Sequence, residues 1–137
     1  MLRKYIPIFG MIGLFMGFGM IAFYATTDLN VVRYIKQGDA KGLATCFDDN
    51  IEIELPNGTI LEGKKECEET MRNFFESYPP LEFTIIHRGK GNNNSKKYYI
   101  GNYRSNTDDF RMTIMMEDLI VDNIIIEEED NMISLTH

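Results

Sequence analysis

Histidine and cysteine are scarce in this chain: 137 residues contain two of each, and one histidine is the final residue, His137. No Cys-x-x-Cys pair occurs, nor any His/Cys spacing suited to a metal, which argues against a zinc-type centre. There is no glycine-rich phosphate loop after a strand and no serine-centred nucleophile motif. The acids at Asp108-Asp109 and from Glu127 to Asp130 lack the alternating spacing of a calcium loop and read as solvated charge. No metal or cofactor is therefore expected. Basic residues are also outnumbered. Fourteen Lys and Arg against 21 Asp and Glu give a net charge of -7, and Arg3 and Lys4 are the only charges before Asp28, so the rest carries -7 - 2 = -9. The one cationic cluster, Lys90 to Lys97, is diluted by glycine and asparagine. That balance repels a nucleic-acid backbone and excludes nucleic acid as a partner.

What the chain does have begins with a hydrophobic leader. Residues 1–27 start Met-Leu-Arg-Lys and run without a charge from Ile6 to Ala25. A basic start before an apolar run of roughly 20 residues is an export signal or a membrane anchor, with the positive end kept inside. Cleavage after Ala25 would put Phe23 at the third position back, and cleavage after Ala22 would put Met20 there, so no small-x-small site is present. The expectation is a bacterial envelope protein, exported across the cytoplasmic membrane and either anchored through residues 6–25 or released to the periplasm.

The exported part, residues 28–130, reads as one α+β domain, followed by a tail at 131–137. Thr27 or Asp28 can cap a first helix striped by Val31, Val32 and Ile35 and ended by Gly38, and Asp39 can cap a second that carries Leu43 and Phe47. Residues 50–55 alternate as a half-buried strand, and Asn57-Gly58 makes a tight turn to Ile60 and Leu61. Gly63 opens a longer helix with Cys67, Met71, Phe74, Phe75 and Tyr78 on one face and a Lys65–Glu69 pair on the wet side. Pro79-Pro80 end it, and Leu81 to Arg88 take up a two-residue rhythm that puts Leu81, Phe83, Ile85 and His87 on one face. After the loop GKGNNNS come strands over 97–104, 110–117 and 119–127. Helices grouped on one face of a mainly antiparallel sheet follow from that order.

The blocks VVRYIKQGDAKGLATCFDDNIEIEL, NFFESYPPLEFTIIHRG, YYIGNY and FRMTIMM resemble, in order, those of a small bacterial envelope family, domain of unknown function 4783. That family is similar to the wider nuclear-transport-factor-2-like, or cystatin-like, group. The resemblance covers about residues 28–127, and FTIIH after the two prolines is its most specific piece. It implies a curved sheet wrapped around a long helix into a cone, usually exported, and it implies no reaction. Two departures stand out: Asp118 leaves a very short final hairpin where relatives often carry a basic, glycine-containing turn, and the leader resembles an anchor more than a signal peptide.

Cones of this kind often enclose a pocket, and here Phe83, Ile85, His87, Met112 and Ile114 are its candidate lining. His87 is the one side chain whose ordinary pKa suits proton transfer near neutrality. The first functional reading is a binding or interaction domain for a small apolar ligand or another envelope protein. The alternative is a small lyase or isomerase using His87. If Phe83, Ile85, Phe110, Met112, Ile114, Met116, Ile124 and Ile126 face the helices, the other face still carries Ile86, Tyr99, Tyr103, Met115 and Ile125, a candidate homodimer interface. Cys46 and Cys67 fall on apolar helical faces, as two buried hydrophobes or as a disulfide permitted by export.

Overall fold

The computed structural model describes residues 30–91 and 95–129. The leader with its expected caps, residues 92–94 of the asparagine loop and the tail from 130 lie outside these. The first helix, α1, is described over 30–37. It stops where Gly38 takes φ +65°, a conformation open to glycine, and Asp39 then caps α2 (Ala40–Ala44) by accepting the Gly42 N–H at 2.9 Å. Five residues is shorter than the expected second helix. Phe47 does not continue it but begins β1 (Phe47–Glu54), a strand that starts earlier than its alternating stretch suggested.

Asn57 shapes the next turn: its side chain accepts the Thr59 N–H at 3.0 Å, Gly58 sits at φ +86°, and β2 (Ile60–Glu62) pairs back on β1. Helix α3 (Lys64–Ser77) follows and buries Cys67, Met71, Phe74 and Phe75. Its exposed ion pair joins Glu68 to Arg72 at 3.0 Å, in place of the expected Lys65–Glu69. Three long strands and a fourth complete the domain: β3 (Glu82–Lys90), β4 (Lys96–Arg104), β5 (Asp109–Glu117) and β6 (Ile120–Glu128).

The six strands form one sheet in the order β2-β1-β6-β5-β4-β3, antiparallel throughout except for β1 against β6. The expected α+β class, with helices on one face of a mainly antiparallel sheet, holds. Register irregularities interrupt β1–β6, β3–β4 and β5–β6, and such bulges bend the strands they interrupt. The inner face buries Phe83, Phe110, Met112, Ile114, Met116, Ile124 and Ile126 against α1, α2 and α3, as the alternation predicts. Tyr99 and Tyr103 join them, against expectation. Tyr103 is opposite Phe83 in register and is fully buried, so it belongs to the core and not to an exposed face.

An aromatic cluster holds α3 to the sheet. The Phe74 ring lies 5.0 Å from that of Phe110 and 5.3 Å from those of Tyr78 and Tyr103, and the Tyr103 hydroxyl donates to the Tyr78 carbonyl. Burial pushes the Tyr103 phenol well above its usual range, so it stays a donor at any physiological pH.

Cys46 and Cys67 are unbridged in the structure. The Cys67 thiol is buried, donating towards the Ile51 and Leu61 carbonyls at 3.6 and 3.4 Å, and burial raises its pKa to about 11. Cys46 is half-buried.

Two expectations follow. Phe74→Ala should destabilise the domain by about 3 to 5 kcal/mol, since it empties the centre of the aromatic cluster; chemical denaturation of residues 28–137 measures it, and a loss below about 1 kcal/mol would refute the packing. Mass spectrometry after thiol alkylation at pH 8 should find Cys46 modified and Cys67 protected until denaturant is added. The sign of the pH effect follows from a raised folded-state pKa: the neutral buried thiol contributes stability below the unfolded value of 9.0, and that contribution is lost as pH rises towards about 11.

Candidate functional site

The strand rhythm that placed His87 beside Phe83 and Ile85 breaks one residue earlier than His87. Ile85 pairs with Gly101 and His87 with Ile100, so Ile86 is the extra residue of a bulge. From there on the faces are exchanged. His87 lies on the outer face, exposed, and its Nε2 is 3.3 Å from the Tyr98 hydroxyl. Gly89 makes room for this contact, because a Cβ there would sit 2.2 Å from the Tyr98 ring. His87 thus has a phenolic partner but stands on open surface.

The remaining candidate pocket residues are core. Phe83, Met112 and Ile114 are buried to 1% exposure or less, and Ile85 is half-buried against the same cluster. Phe83 leans across Gly101, where a Cβ would meet its ring at 2.5 Å. The interior that a cone could have left open is filled here by side chains. Of the candidate interface residues, Ile86 and Met115 are exposed and Ile125 half-buried on the outer face, while Tyr99 and Tyr103 point inwards. Tyr98 and Ile100 take the outer positions on β4 instead, with Thr84, Arg111 and Thr113 as the polar neighbours expected there.

A cleft of about 610 Å³ opens elsewhere, between the C-terminal half of α3 and the β1–β2 hairpin. Leu55, Leu61, Phe74, Tyr78 and Phe110 supply its apolar surface. Its polar rim comes from Asn57, Thr59, Thr70, Asn73 and Ser77, and from Glu128 at the end of β6. Glu128 reaches the cleft because it is opposite Phe110 in the β5–β6 register and so shares the inner face. Asn57 and Thr70 are committed locally: Asn57 to the Thr59 N–H, and the Thr70 hydroxyl to the Glu66 carbonyl at 2.8 Å. The side chains of Asn73, Ser77 and Glu128 have no hydrogen-bond partner among the described residues. Among the described residues no Lys, Arg or His lines the cleft.

The sequence marks Asn57 as a turn residue and Glu128 as solvated charge, and none of these rim residues as part of a ligand site. One sign was available: Thr70, Asn73 and Ser77 recur at helical spacing beside Phe74 and Tyr78, a polar border along an apolar stripe. Asp122 was also missed. It lines a smaller cavity of about 140 Å³ with Lys96, Tyr98 and Met115, where burial raises its carboxyl pKa against the opposing pull of Lys96. The described residues contain no cluster of three or more His, Cys, Asp or Glu placed to hold a metal ion. Among them no helix is long and apolar enough to cross a membrane, and the expected span at 6–25 lies outside them.

No curated protein matches the sequence. Among solved structures, a DUF4783 family protein from Bacteroides uniformis is 23% identical with a TM-score of 0.66, over 74% of this chain and 95% of its own. A second from Bacteroides ovatus is 20% identical with a TM-score of 0.65, over 72% and 92%. A domain of unknown function with a cystatin-like fold from Nostoc punctiforme is 15% identical with a TM-score of 0.61, over 81% and 80%. At these identities the likeness is one of fold, the nuclear-transport-factor-2-like or cystatin-like arrangement of helices on a curved sheet. The family itself is shown by sequence: its pattern matches residues 29–128, the helices and strands described above, and the chain belongs to the family described as domain of unknown function (DUF4783).

Proposed function

We propose that this is an envelope-located binding domain without a catalytic centre, and that the cleft beside α3 receives its ligand. The observation that carries the reading is the lining: an apolar floor under a rim of amides, hydroxyls and one carboxylate, the usual make-up of a small-molecule site. Acid–base chemistry would need a pair of titratable groups with separated pKa values within reach of one bound molecule. Among the described residues the cleft offers Glu128 and the Tyr78 phenol, and His87 stands on the other face of the sheet. The lyase or isomerase reading keeps Tyr98 as a partner for His87, but that pair stands on exposed surface.

Envelope location rests on the leader. Its basic start and its lack of a small-x-small site favour retention through residues 6–25, with the domain on the outer side of the cytoplasmic membrane. Sequencing the N-terminus of the mature protein should return Met1 or the residue after it, and a start near Thr26 would refute anchoring.

The outer sheet face supports a homodimer as one partner. Ile86 and Met115 are exposed there beside half-buried Ile100 and Ile125. Asn102 Oδ1, Arg111 Nε and Asn123 Oδ1 on the same face are buried atoms with no hydrogen-bond partner among the described residues, a costly state that a facing copy relieves. Sedimentation of residues 28–137 should show a dimer that weakens with Met115→Lys; a strict monomer at high concentration would end this reading.

A further inference from the structure

The charge around the cleft is one-sided in two independent ways. Glu128 is the one acidic or basic residue among the described residues that line it. The other source is the end of α3. Phe74, Ser77 and Tyr78 belong to the last turn and C-cap of that 14-residue helix, and no basic residue lies in that turn. A helix C-terminus carries a partial negative charge on its unpaired carbonyls, normally offset by Lys, Arg or His nearby. Here it is left uncompensated. The Tyr78 N–H satisfies the Phe74 carbonyl, and Tyr103 satisfies that of Tyr78.

Two arginines on neighbouring elements are engaged with acids. Arg72 on α3 is paired with Glu68, and Arg104 at the end of β4 lies 3.5 Å from Glu82. Arg111, next to Phe110 in sequence, points to the opposite face of the sheet. Apart from Arg111, the charged residues flanking Phe110 and Glu128 in sequence, Asp108, Asp109, Glu127 and Glu129, are all acidic. An anionic ligand, such as a fatty acid or a phosphate ester, would enter a negative field with no counter-charge. A protonated amine would meet a carboxylate, a helix C-terminus and aromatic edges, all favourable to a cation.

We infer that the cleft selects small amphiphilic amines, molecules with an apolar, ring-sized body and a positively charged nitrogen, over neutral or acidic molecules of the same shape. The body lies on Leu55, Leu61 and Tyr78, and the ammonium group lies between Glu128 and the α3 C-terminus, within reach of Asn73 and Ser77. This inference rests on the reading of the cleft as a ligand site.

The test compares three probes that share one ring system: 1-naphthylmethylamine, 1-naphthalenemethanol and 1-naphthylacetate. Each is titrated against the full chain in phosphatidylcholine nanodiscs, with empty nanodiscs as the blank. The amine should bind about 3- to 5-fold more tightly than the alcohol, and the acetate more weakly than both, the scale of a solvent-exposed ion pair. Raising the salt concentration should shrink that advantage. Glu128→Gln should reduce the amine's advantage over the alcohol, while Ser77→Trp, a change at an exposed rim position, should block all three. Equal binding of the three probes, or an undiminished advantage of the amine in Glu128→Gln, would overturn the charge assignment and leave the cleft as a neutral site. Binding by none of them would overturn the cleft reading and this inference together. Binding that emerges only when the chain is ended after Glu129 would overturn the inference by assigning the cleft to residues 130–137.

Discussion

One hydrogen bond sits where the helical layer and the sheet have to agree. Tyr103 projects from near the C-terminal end of β4 into the core and gives its hydroxyl to the carbonyl of Tyr78, the residue that caps α3. A buried phenol without a partner is costly, and so is a helix-end carbonyl withdrawn from water; each relieves the other. Around this bond the rings of Phe74, Phe75, Phe83 and Phe110 lie within 6.4 Å of the Tyr103 centroid, so the polar contact is sealed by apolar area. Register in β3, β4 and β5 is thereby tied to the position of the helix end. The cleft inherits its shape from the same place, because Phe74, Tyr78 and Phe110 are at once part of the cluster and part of the cleft wall.

The local rules carried most of the fold. Gly38, Asp39, Asn57-Gly58 and the two prolines mark boundaries through their own backbone chemistry, and each acts where it was expected to. Alternation in β5 and β6 sorted the inner from the outer residues because one parity is almost wholly apolar. In β4 it could not. Tyrosines occupy both parities at Tyr98, Tyr99 and Tyr103, and only pairing with Phe83 and Phe110 decides which of them is inside. The displaced His87 has a similar cause. A bulge inserts one residue without any mark in FTIIHRG, and a single extra residue exchanges every later side chain between faces. The cleft was out of reach for a third reason: its walls come from a hairpin, a helix and two strand ends, and their meeting is a property of topology.

The interior of this domain is filled. Folds of this group host unrelated activities, and what any member does must be read from its own side chains. Here Phe83, Tyr103, Met112 and Ile114 occupy the volume in which a substrate could have been enclosed. The opening that remains is lateral, shallow enough for solvent to screen its charges, and bordered by groups that can hold a molecule in position without changing it. Under the proposed function such an opening serves as a weak, reversible capture site.

The parallel pairing of β1 with β6 has a consequence in time as well as space. All other neighbouring strands follow one another along the chain, but β1 is among the first to be synthesised and its partner β6 is the last. Loop closure over that separation cannot be recovered by local contacts, which makes such pairings slow. Until β6 has emerged, the β1–β2 hairpin has no sheet to join, and Ile51 and Ile53 have lost a flank of their cover. The nascent domain is thus held short of its native state until nearly its whole length is available, so a chain threaded through a narrow pore would meet little folded structure to resist it.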